Sequence, residues 1–332
     1  MWNTSQVCAC VPPSCPSCPL WLNLSEEMRA AAILGLGPSP RDLKPFQKIS
    51  DASWLVGLPA APNEAEVIFI FGGDGTVHRH LAQLVKLQLP VLVVPAGSGN
   101  DFARALNLHS VRDSLSAWKK FASSAANVRT IDLGVIIPLA SRVAIAEEAE
   151  PARRPLPGTS CYFCCVAGCG LDAEVARRAN QLPRWLRSHG GYAISFSGAL
   201  RSFAPLPMNI LLPKAEQSTE FGAHQSKPTV LLACANTPTY GGGMRVAPRA
   251  KLDDGKLDIC HVTNIDKFKL FCLFPTVYFG RHLSTPEVEY FQAARLRIQT
   301  ERPLDVYADG EYVCQTPVEI AVRPRALRVV VP

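Results

Sequence analysis

One short stretch constrains this chain more than any other: the apolar run from Val67 to Phe71 ends abruptly in a glycine-rich turn, Gly72 to Thr76. Both faces of the run are apolar, which predicts a strand buried in a parallel sheet. After the turn, apolar residues recur at helical spacing, at Val77, Leu81, Leu84 and Val85. A glycine turn between a strand and a helix offers free backbone N–H groups that a phosphate can approach closely. The carboxylate of Asp74 in this turn suits a metal–nucleotide site or a hydroxyl partner.

A second unit of the same kind follows at once. Another apolar run, Val91 to Val94, leads into the glycine-containing segment from Pro95 to Arg104. Two such strand ends would lie side by side at one edge of a parallel sheet, where open α/β sheets bind ligands. The alternative is two tight connections without a ligand. Two successive glycine turns, each with an Asp, favour the ligand site.

Composition limits the class of protein. A chain of 332 residues with 48% hydrophobic residues is long enough for two globular domains. No apolar run is long enough to span a membrane. The net charge of +6 permits attraction to an anionic membrane surface. No concentrated Lys/Arg run is present, so a nucleic-acid partner is not expected.

Twelve cysteines bear on the compartment. Those that lie in apolar runs, among them Cys161, Cys164, Cys165 and Cys169, are typical of reduced core residues in a cytoplasmic protein. Four more crowd a proline-rich leader at residues 1–27: Cys8, Cys10, Cys15 and Cys18. Their spacing permits zinc, but prolines interrupt it and no His or partner pair follows nearby, so zinc is not expected. The leader lacks the basic start of a signal peptide and is predicted to be disordered, or to precede a natural start at Met28.

The rest of the chain divides into two predicted domains. Residues 28–130 alternate strands and helices, whereas residues 131–316 become rich in short strands separated by turns, which suggests a sandwich. Single strands are predicted at 162–167 and at 289–300, and two strands at 318–322 and 327–331. A charged, proline-rich segment at 138–158 fits a solvent loop. The fold class is therefore an α/β domain with a parallel sheet, followed by a β-rich sandwich domain.

The two glycine motifs carry a resemblance. GGDGT followed by PAGSGNDFAR resembles the catalytic domain of the diacylglycerol kinase family, in its bacterial soluble lipid-kinase branch. Sphingosine and ceramide kinases are similar, whereas NAD kinases and phosphofructokinases share only the first motif. The resemblance extends from about Val67 to Pro332. It implies a first domain like that of NAD and diacylglycerol kinases, and last strands, about 317–332, that pass back to this domain.

The resemblance also implies nucleotide-binding residues: Gly72, Gly73, Asp74, Gly75, Thr76, Val77, His78 and Ser98. The chain departs from the family pattern in two places. After GGDGT the family commonly has one residue and then Asn-Glu, but here Val77-His78-Arg79 follows. His78 is more typical of a polar residue on a helix face than of a ligand. The first strand also lacks the family's Asn-Pro-x-Ser-Gly ending, so its nucleotide contacts cannot be assigned.

Two motifs in the second half complete the resemblance. In the segment Pro248 to Asp258, a hairpin turn at Asp254-Gly255 is the plain interpretation. The family instead holds Mg²⁺ there, which implies Asp254 as ligand, with the backbone carbonyls of Lys251 and Lys256. Oxygen-only ligation suits Mg²⁺.

The second motif, Asp309-Gly310-Glu311, fits an exposed turn, but in the family it lies at the cleft between domains and supplies the general base. The sequence does not decide between the two carboxylates. Glu311 is favoured as proton acceptor, with Asp309 assisting it or binding metal.

The functional hypothesis is an ATP-dependent lipid kinase that uses ATP and Mg²⁺. It would transfer the γ-phosphoryl group to a hydroxyl of diacylglycerol or a related lipid. The lipid would be met at the membrane surface, by a cytoplasmic protein with peripheral membrane contact. An oligomer is compatible with the sequence. The alternatives are a nucleotide-binding regulatory protein without turnover, which the His78-Arg79 departure favours, and a kinase of a soluble substrate such as NAD, which Asn100-Asp101-Phe102 opposes.

Overall fold

The structure is a computed structural model, and it describes residues 27–139, 160–183, 191–215 and 218–332. The predicted disordered leader, its four cysteines and most of the predicted solvent loop at 138–158 lie outside the described residues. No helix in the described ranges has the length and apolar character needed to cross a bilayer.

The first half is a parallel sheet covered by helices. The strands are β1 (Arg29–Leu34), β2 (Ser53–Val56), β3 (Val67–Gly72) and β4 (Val91–Pro95), in the order β2-β1-β3-β4. The helices are α1 (Lys44–Gln47), α2 (Asp74–Leu87), α3 (Asp101–Ala105) and α4 (Val111–Ser124). All residues of β3 are buried, because helices cover both faces of such a sheet. The predicted strand–turn–helix at the first glycine motif is confirmed.

Aromatic residues fix the packing of the helices on this sheet. Phe69 on β3 packs edge-on against Phe46 on α1, with ring centroids 5.5 Å apart, and against Trp118 on α4, at 5.0 Å. The Trp118 indole N–H donates a hydrogen bond to the Phe46 carbonyl over 3.0 Å. A buried tryptophan needs such an acceptor, so this bond sets the relative position of α1 and α4.

The second half is dominated by antiparallel strands. Its strands are β5 (Val128–Pro138), β6 (Cys161–Phe163), β7 (Val166–Gly170), β8 (Leu206–Pro213), β9 (Phe221–Ala235), β10 (Leu257–Thr263), β11 (Val288–Ala293), β12 (Arg295–Thr300), β13 (Asp305–Ala308), β14 (Glu311–Gln315) and β15 (Val318–Val330). Its helices are α5 (Leu171–Gln181), α6 (Gly191–Ser202) and α7 (Lys267–Leu273), with a 3₁₀ helix at Phe274–Phe279. A second core cluster of inward-facing strand residues fills this half, and the β-rich character of the prediction is confirmed.

Strand β15 joins the two halves. It runs antiparallel to β5 and β12 in the second half, and it pairs in parallel with β4 of the first half at Val329 and Val91. The chain end therefore extends the parallel sheet. The domain boundaries at residues 130 and 316 stay a prediction.

Three strand predictions are wrong in detail. Residues 289–300 form two strands, because β11 pairs with β10 whereas β12 pairs with β8 and β15. Residues 318–331 form one strand, whose register with β5 shifts between Arg323 and Leu327. Residues 162–167 contain a break at Cys164 and Cys165, where the backbone N–H groups bond a carboxylate instead of a neighbouring strand. Each difference depends on a partner far away in the chain, which periodicity does not report.

Candidate active site

The two glycine-rich turns touch each other. Strands β3 and β4 end together, with Gly72 opposite Pro95, and the Ala96 N–H donates to the Gly72 carbonyl. A Cβ placed on Gly97 would lie 2.5 Å from the Cα of Gly73, which no real side chain tolerates. Glycine is required here because two backbones pass at contact distance.

Asp74 links the two turns. Its carboxylate accepts hydrogen bonds from the backbone N–H groups of Asp101 (3.0 Å) and Phe102 (2.9 Å), at the start of α3. Burial and the nearby Asp101 carboxylate raise the pKa of Asp74 to about 6, although the two N–H bonds act in the opposite direction. Asp74 therefore holds the second turn against the first, while it also borders the cleft described below.

Asp101 connects the second turn to the other half of the molecule. Its buried carboxylate accepts from the Gly242 backbone N–H at 2.8 Å and from the Arg104 guanidinium at 2.6 Å. Arg104 in turn donates to the Gly99 carbonyl. The three glycines at 241–243 all have positive φ angles, so this loop can present a backbone N–H to Asp101. Sequence reasoning quoted Asp101 in its motif but assigned it no role.

Asp309 holds the turn between β13 and β14. One carboxylate oxygen accepts from the backbone N–H of Cys165 (2.8 Å) and of Val166 (3.2 Å). The other accepts from the N–H of Cys164 (2.8 Å) and lies 3.0 Å from Nδ1 of His78. Burial would raise the pKa of Asp309, but His78 and the backbone N–H groups together hold it below the usual range. With four partners, this carboxylate is committed to the fold.

His78 supplies the cation of that pair from the first half. It lies on α2, and only 10% of its side chain is exposed. Burial disfavours its charged form, but the hydrogen bond to Asp309 raises the pKa of His78 to about 10. The departure from the family pattern thus places an imidazolium against the Asp309-Gly310-Glu311 turn.

Glu311 faces the first glycine turn across a cleft of about 610 Å³. Its Oε1 lies 3.4 Å from the position that a Cβ on Gly75 would occupy. It forms no hydrogen bond or ion pair with the described residues, in contrast to Asp309 two positions earlier. A carboxylate at the edge of this cleft that has no partner in the described part of the chain can accept a proton from an incoming hydroxyl.

Most predicted nucleotide-binding residues line this cleft: Gly73, Asp74, Gly75, Thr76 and Ser98. Gly72 lies beneath them at the end of β3. The structure does not bring two of the predicted residues to the cleft: Val77 is 1% exposed in the core, and His78 is bound to Asp309. Arg79, which sequence reasoning left without a role, does line the cleft, where its guanidinium suits a phosphate.

The predicted metal loop lies away from the cleft. Asp254 is exposed, accepts the Lys256 N–H at 3.1 Å, and lies 3.4 Å from the Gln292 amide. Asp132, a buried residue that sequence reasoning missed, secures the loop by accepting the Gly255 N–H at 2.8 Å. The neighbouring Asp253 pairs with Arg129. Asp254 thus presents an exposed carboxylate with only these two weak partners. Together with the backbone carbonyl groups of Lys251 and Lys256 it would make an oxygen-only donor set, which is the kind that Mg²⁺ prefers.

Comparison with known proteins gives consistent matches. The model of the diacylglycerol kinase catalytic domain matches residues 44–136, and that of the YegS C-terminal NAD kinase beta sandwich-like domain matches residues 165–331. A diacylglycerol kinase of Mycobacterium tuberculosis is 31% identical over 85% of this chain and 82% of the relative. A diacylglycerol kinase of Bacillus subtilis is 26% identical over 82% and 80%. A crystal structure of a diacylglycerol kinase from Bacillus anthracis has a TM-score of 0.61 at 18% identity, covering 92% of this chain and 98% of that one, which shows a shared fold.

The family matches and the relatives together place the protein among phosphotransferases of the lipid-kinase class. The chain belongs to the diacylglycerol kinase catalytic-domain family. The resemblance found in the two glycine motifs is thereby confirmed, together with the predicted fold class.

Proposed function

We propose that the protein is an ATP-dependent lipid kinase that phosphorylates the free hydroxyl of diacylglycerol or of a closely related lipid. The observation that carries this proposal is the position of Glu311, which has no hydrogen-bond or ion-pair partner among the described residues and faces the Gly72–Thr76 turn across the cleft. A regulatory module without turnover would have no use for an open carboxylate at this point.

The chemistry follows from the two sides of the cleft. The backbone N–H groups of both glycine turns would bind the phosphates of ATP, and Arg79 would add a positive charge. The lipid oxygen attacks the γ-phosphorus and forms a new P–O bond, while the bond from that phosphorus to the β–γ bridging oxygen breaks and ADP leaves. The hydroxyl proton passes to the Glu311 carboxylate.

The remaining acidic residues would position these groups. Asp74 and Asp101 hold the second glycine turn in place, and Asp309 fixes the turn that carries Glu311. Phosphoryl transfer depends chiefly on positioning and charge, so the loss of any of these hydrogen bonds should slow the reaction. Asp309 is thus assigned as a positioning residue and Glu311 as the proton acceptor.

Magnesium is part of the proposal at the loop of residues 251–256. Asp254 and the carbonyl groups of Lys251 and Lys256 would hold the ion. There it would stabilise a loop that lies away from the cleft. Asp132, which bonds Gly255 from beneath, would keep the loop in the same conformation whether the ion is bound or not.

The test is a transfer assay with labelled ATP. Dioctanoylglycerol and other lipids with a free hydroxyl are offered in detergent micelles, with NAD as a soluble competitor substrate. We expect label on dioctanoylglycerol, and at least a hundredfold less with the Glu311→Gln variant. Label on NAD alone, or ATP binding without transfer to any acceptor, would refute the lipid-kinase assignment.

A further inference from the structure

Exposed aromatic side chains are concentrated on one short helical segment of the second half, formed by α7 and the 3₁₀ helix that follows it. We name these four residues the aromatic band: Phe268, Phe271, Tyr278 and Phe279. Their exposed fractions are 76%, 52%, 38% and 73% respectively. Within the described ranges, every other Phe, Tyr or Trp side chain has a smaller exposed fraction than these four. Phenylalanine at this exposure is unfavourable in water and calls for an apolar partner.

Positive charge borders the band. The Lys267 ammonium donates to the Arg201 carbonyl at 3.0 Å, and the Arg245 backbone N–H donates to the Val277 carbonyl at 3.1 Å. Arg281 follows Phe279 by two positions. All four basic side chains are exposed, and no carboxylate in the part of the chain that the structure describes is within ion-pair distance of them.

We propose that the aromatic band and its four bordering cations form the face by which the protein docks on an anionic lipid bilayer. Apolar rings can enter the boundary between headgroups and acyl chains while the basic groups meet lipid phosphates. A second copy of this chain fits less well, because a symmetric contact through this face would oppose like charges.

The inner side of the same helical segment relates the docking face to the cleft. Four of its residues line an apolar cavity of about 70 Å³: Leu270, Leu273, Phe274 and Val277. The cavity and the cleft share two walls, Tyr192 and Tyr240. Docking through the band would therefore bring the bilayer to the apolar side of the cleft. That consequence for the substrate rests on the proposed lipid-kinase function, whereas docking itself does not.

The test is sedimentation with vesicles of equal parts phosphatidylglycerol and phosphatidylcholine, without ATP. We expect a triple variant, Phe268→Ser, Phe271→Ser and Phe279→Ser, to bind about 100-fold more weakly than the wild type. The matched control is Val56→Ser with Val111→Ser, two exposed apolar residues of the first half, which should bind as the wild type does. Reversing charge with Arg245→Glu and Arg281→Glu should weaken binding at least about tenfold on these vesicles, and have little effect on pure phosphatidylcholine.

A second readout separates this proposal from the proposed function. Transfer to micellar dioctanoylglycerol should be the same for the wild type and the triple variant, whereas transfer to long-chain diacylglycerol in vesicles should fall with binding. Equal vesicle binding by the wild type and the triple variant would overturn the docking face. So would a triple variant that changes only the oligomeric mass, because the band would then be a contact between copies. If no lipid is phosphorylated but the vesicle results hold, the proposed function fails and the docking face stands.

Discussion

The glycine turns of the first half and the 309–311 turn of the second half are both held by a buried carboxylate that accepts backbone N–H bonds. Yet the pKa of Asp74 is raised to about 6, whereas that of Asp309 is lowered. Burial acts alike on both groups. The neighbours differ, because Asp74 lies near the Asp101 carboxylate and Asp309 lies against the His78 imidazolium.

The contrast separates two uses of one residue type. Asp309 forms a complete ion pair inside the protein, so its turn is fixed and Glu311 is left free at the cleft. No cation among the described residues pairs with Asp74. Both carboxylates border the cleft, but only the charge of Asp74 is left to depend on the pH and on what is bound there. Variants of Asp74 and Asp309 can test how far the roles of the two carboxylates differ.

The largest effect on turnover is expected at Glu311, where the 309–311 turn faces the first glycine turn. Glu311→Gln removes the free carboxylate but keeps the shape, so turnover should fall by about 10²–10⁴-fold with ATP affinity nearly unchanged. Turnover and ATP binding are measured separately, with Glu301→Gln, an exposed acid outside the cleft, as control. A variant that loses ATP binding but keeps turnover per bound complex would contradict the assignment.

Removing the Asp309 carboxylate should have the next largest effect. Asp309→Ala leaves three backbone N–H groups and a buried imidazolium without their acceptor, which should cost about 3–5 kcal/mol of unfolding free energy. The lowered pKa means that this stabilisation is present above the ordinary value of 3.8 and is lost as the pH falls through the folded-state value. Urea unfolding checks the loss at neutral pH, with Asp305→Asn on the same hairpin as control. A change below about 1 kcal/mol would show that these bonds are not needed for the fold.

The histidine side of the pair predicts an alkaline effect. Because folding raises the pKa of His78 from 6.5 to about 10, its stabilisation is complete below pH 6.5 and is lost as the pH rises through about 10. The wild type should lose up to about 5 kcal/mol over this window relative to His78→Asn, which is what the full shift in pKa corresponds to. Denaturant unfolding of both proteins at several pH values gives the difference. Parallel curves would mean that His78 is not charged in the folded protein.

The Asp74 carboxylate should respond to pH with the sign opposite to that of Asp309, and more weakly than His78. The native state keeps a proton on Asp74 up to about pH 6, whereas the unfolded chain releases it near 3.8. The stability of the wild type relative to Asp74→Asn should therefore fall as the pH rises through this window, by about 1–3 kcal/mol. If the stability of the wild type relative to Asp74→Asn rose with pH instead, Asp74 and Asp309 would not differ in the direction of their pKa shifts. Because Asp74 bonds two N–H groups, Asp74→Ala is expected to loosen the second turn as well as to impair transfer.

The smallest effect is expected at the exposed carboxylate of the metal loop. Asp254→Ala should abolish the rise in unfolding temperature that Mg²⁺ produces, a gain of about 0.4 kcal/mol when the Mg²⁺ concentration equals the dissociation constant. Thermal unfolding with and without Mg²⁺ provides the measurement, and Asp51→Ala serves as an exposed control. An unchanged Mg²⁺ response would place the ion elsewhere.

The sequence by itself determined the local units. Apolar runs followed by glycine turns predicted strand–turn–helix segments, and because parallel strand ends meet at one edge, they also predicted that Gly73 and Ser98 would border one site. The motifs from Val67 onward identified the family. These features depend on residues that are near each other in the chain, which is what spacing and periodicity report.

Only the tertiary structure decided which partner each polar group has. His78 and Asp309 are 231 positions apart, and Asp101 and Gly242 are 141 apart, so no local pattern links them. The same holds for the break at Cys164 and for the two strands within residues 289–300, whose partners lie in other parts of the sheet. A buried carboxylate must find donors wherever the fold brings them, and its pKa is set by those neighbours and not by its own motif.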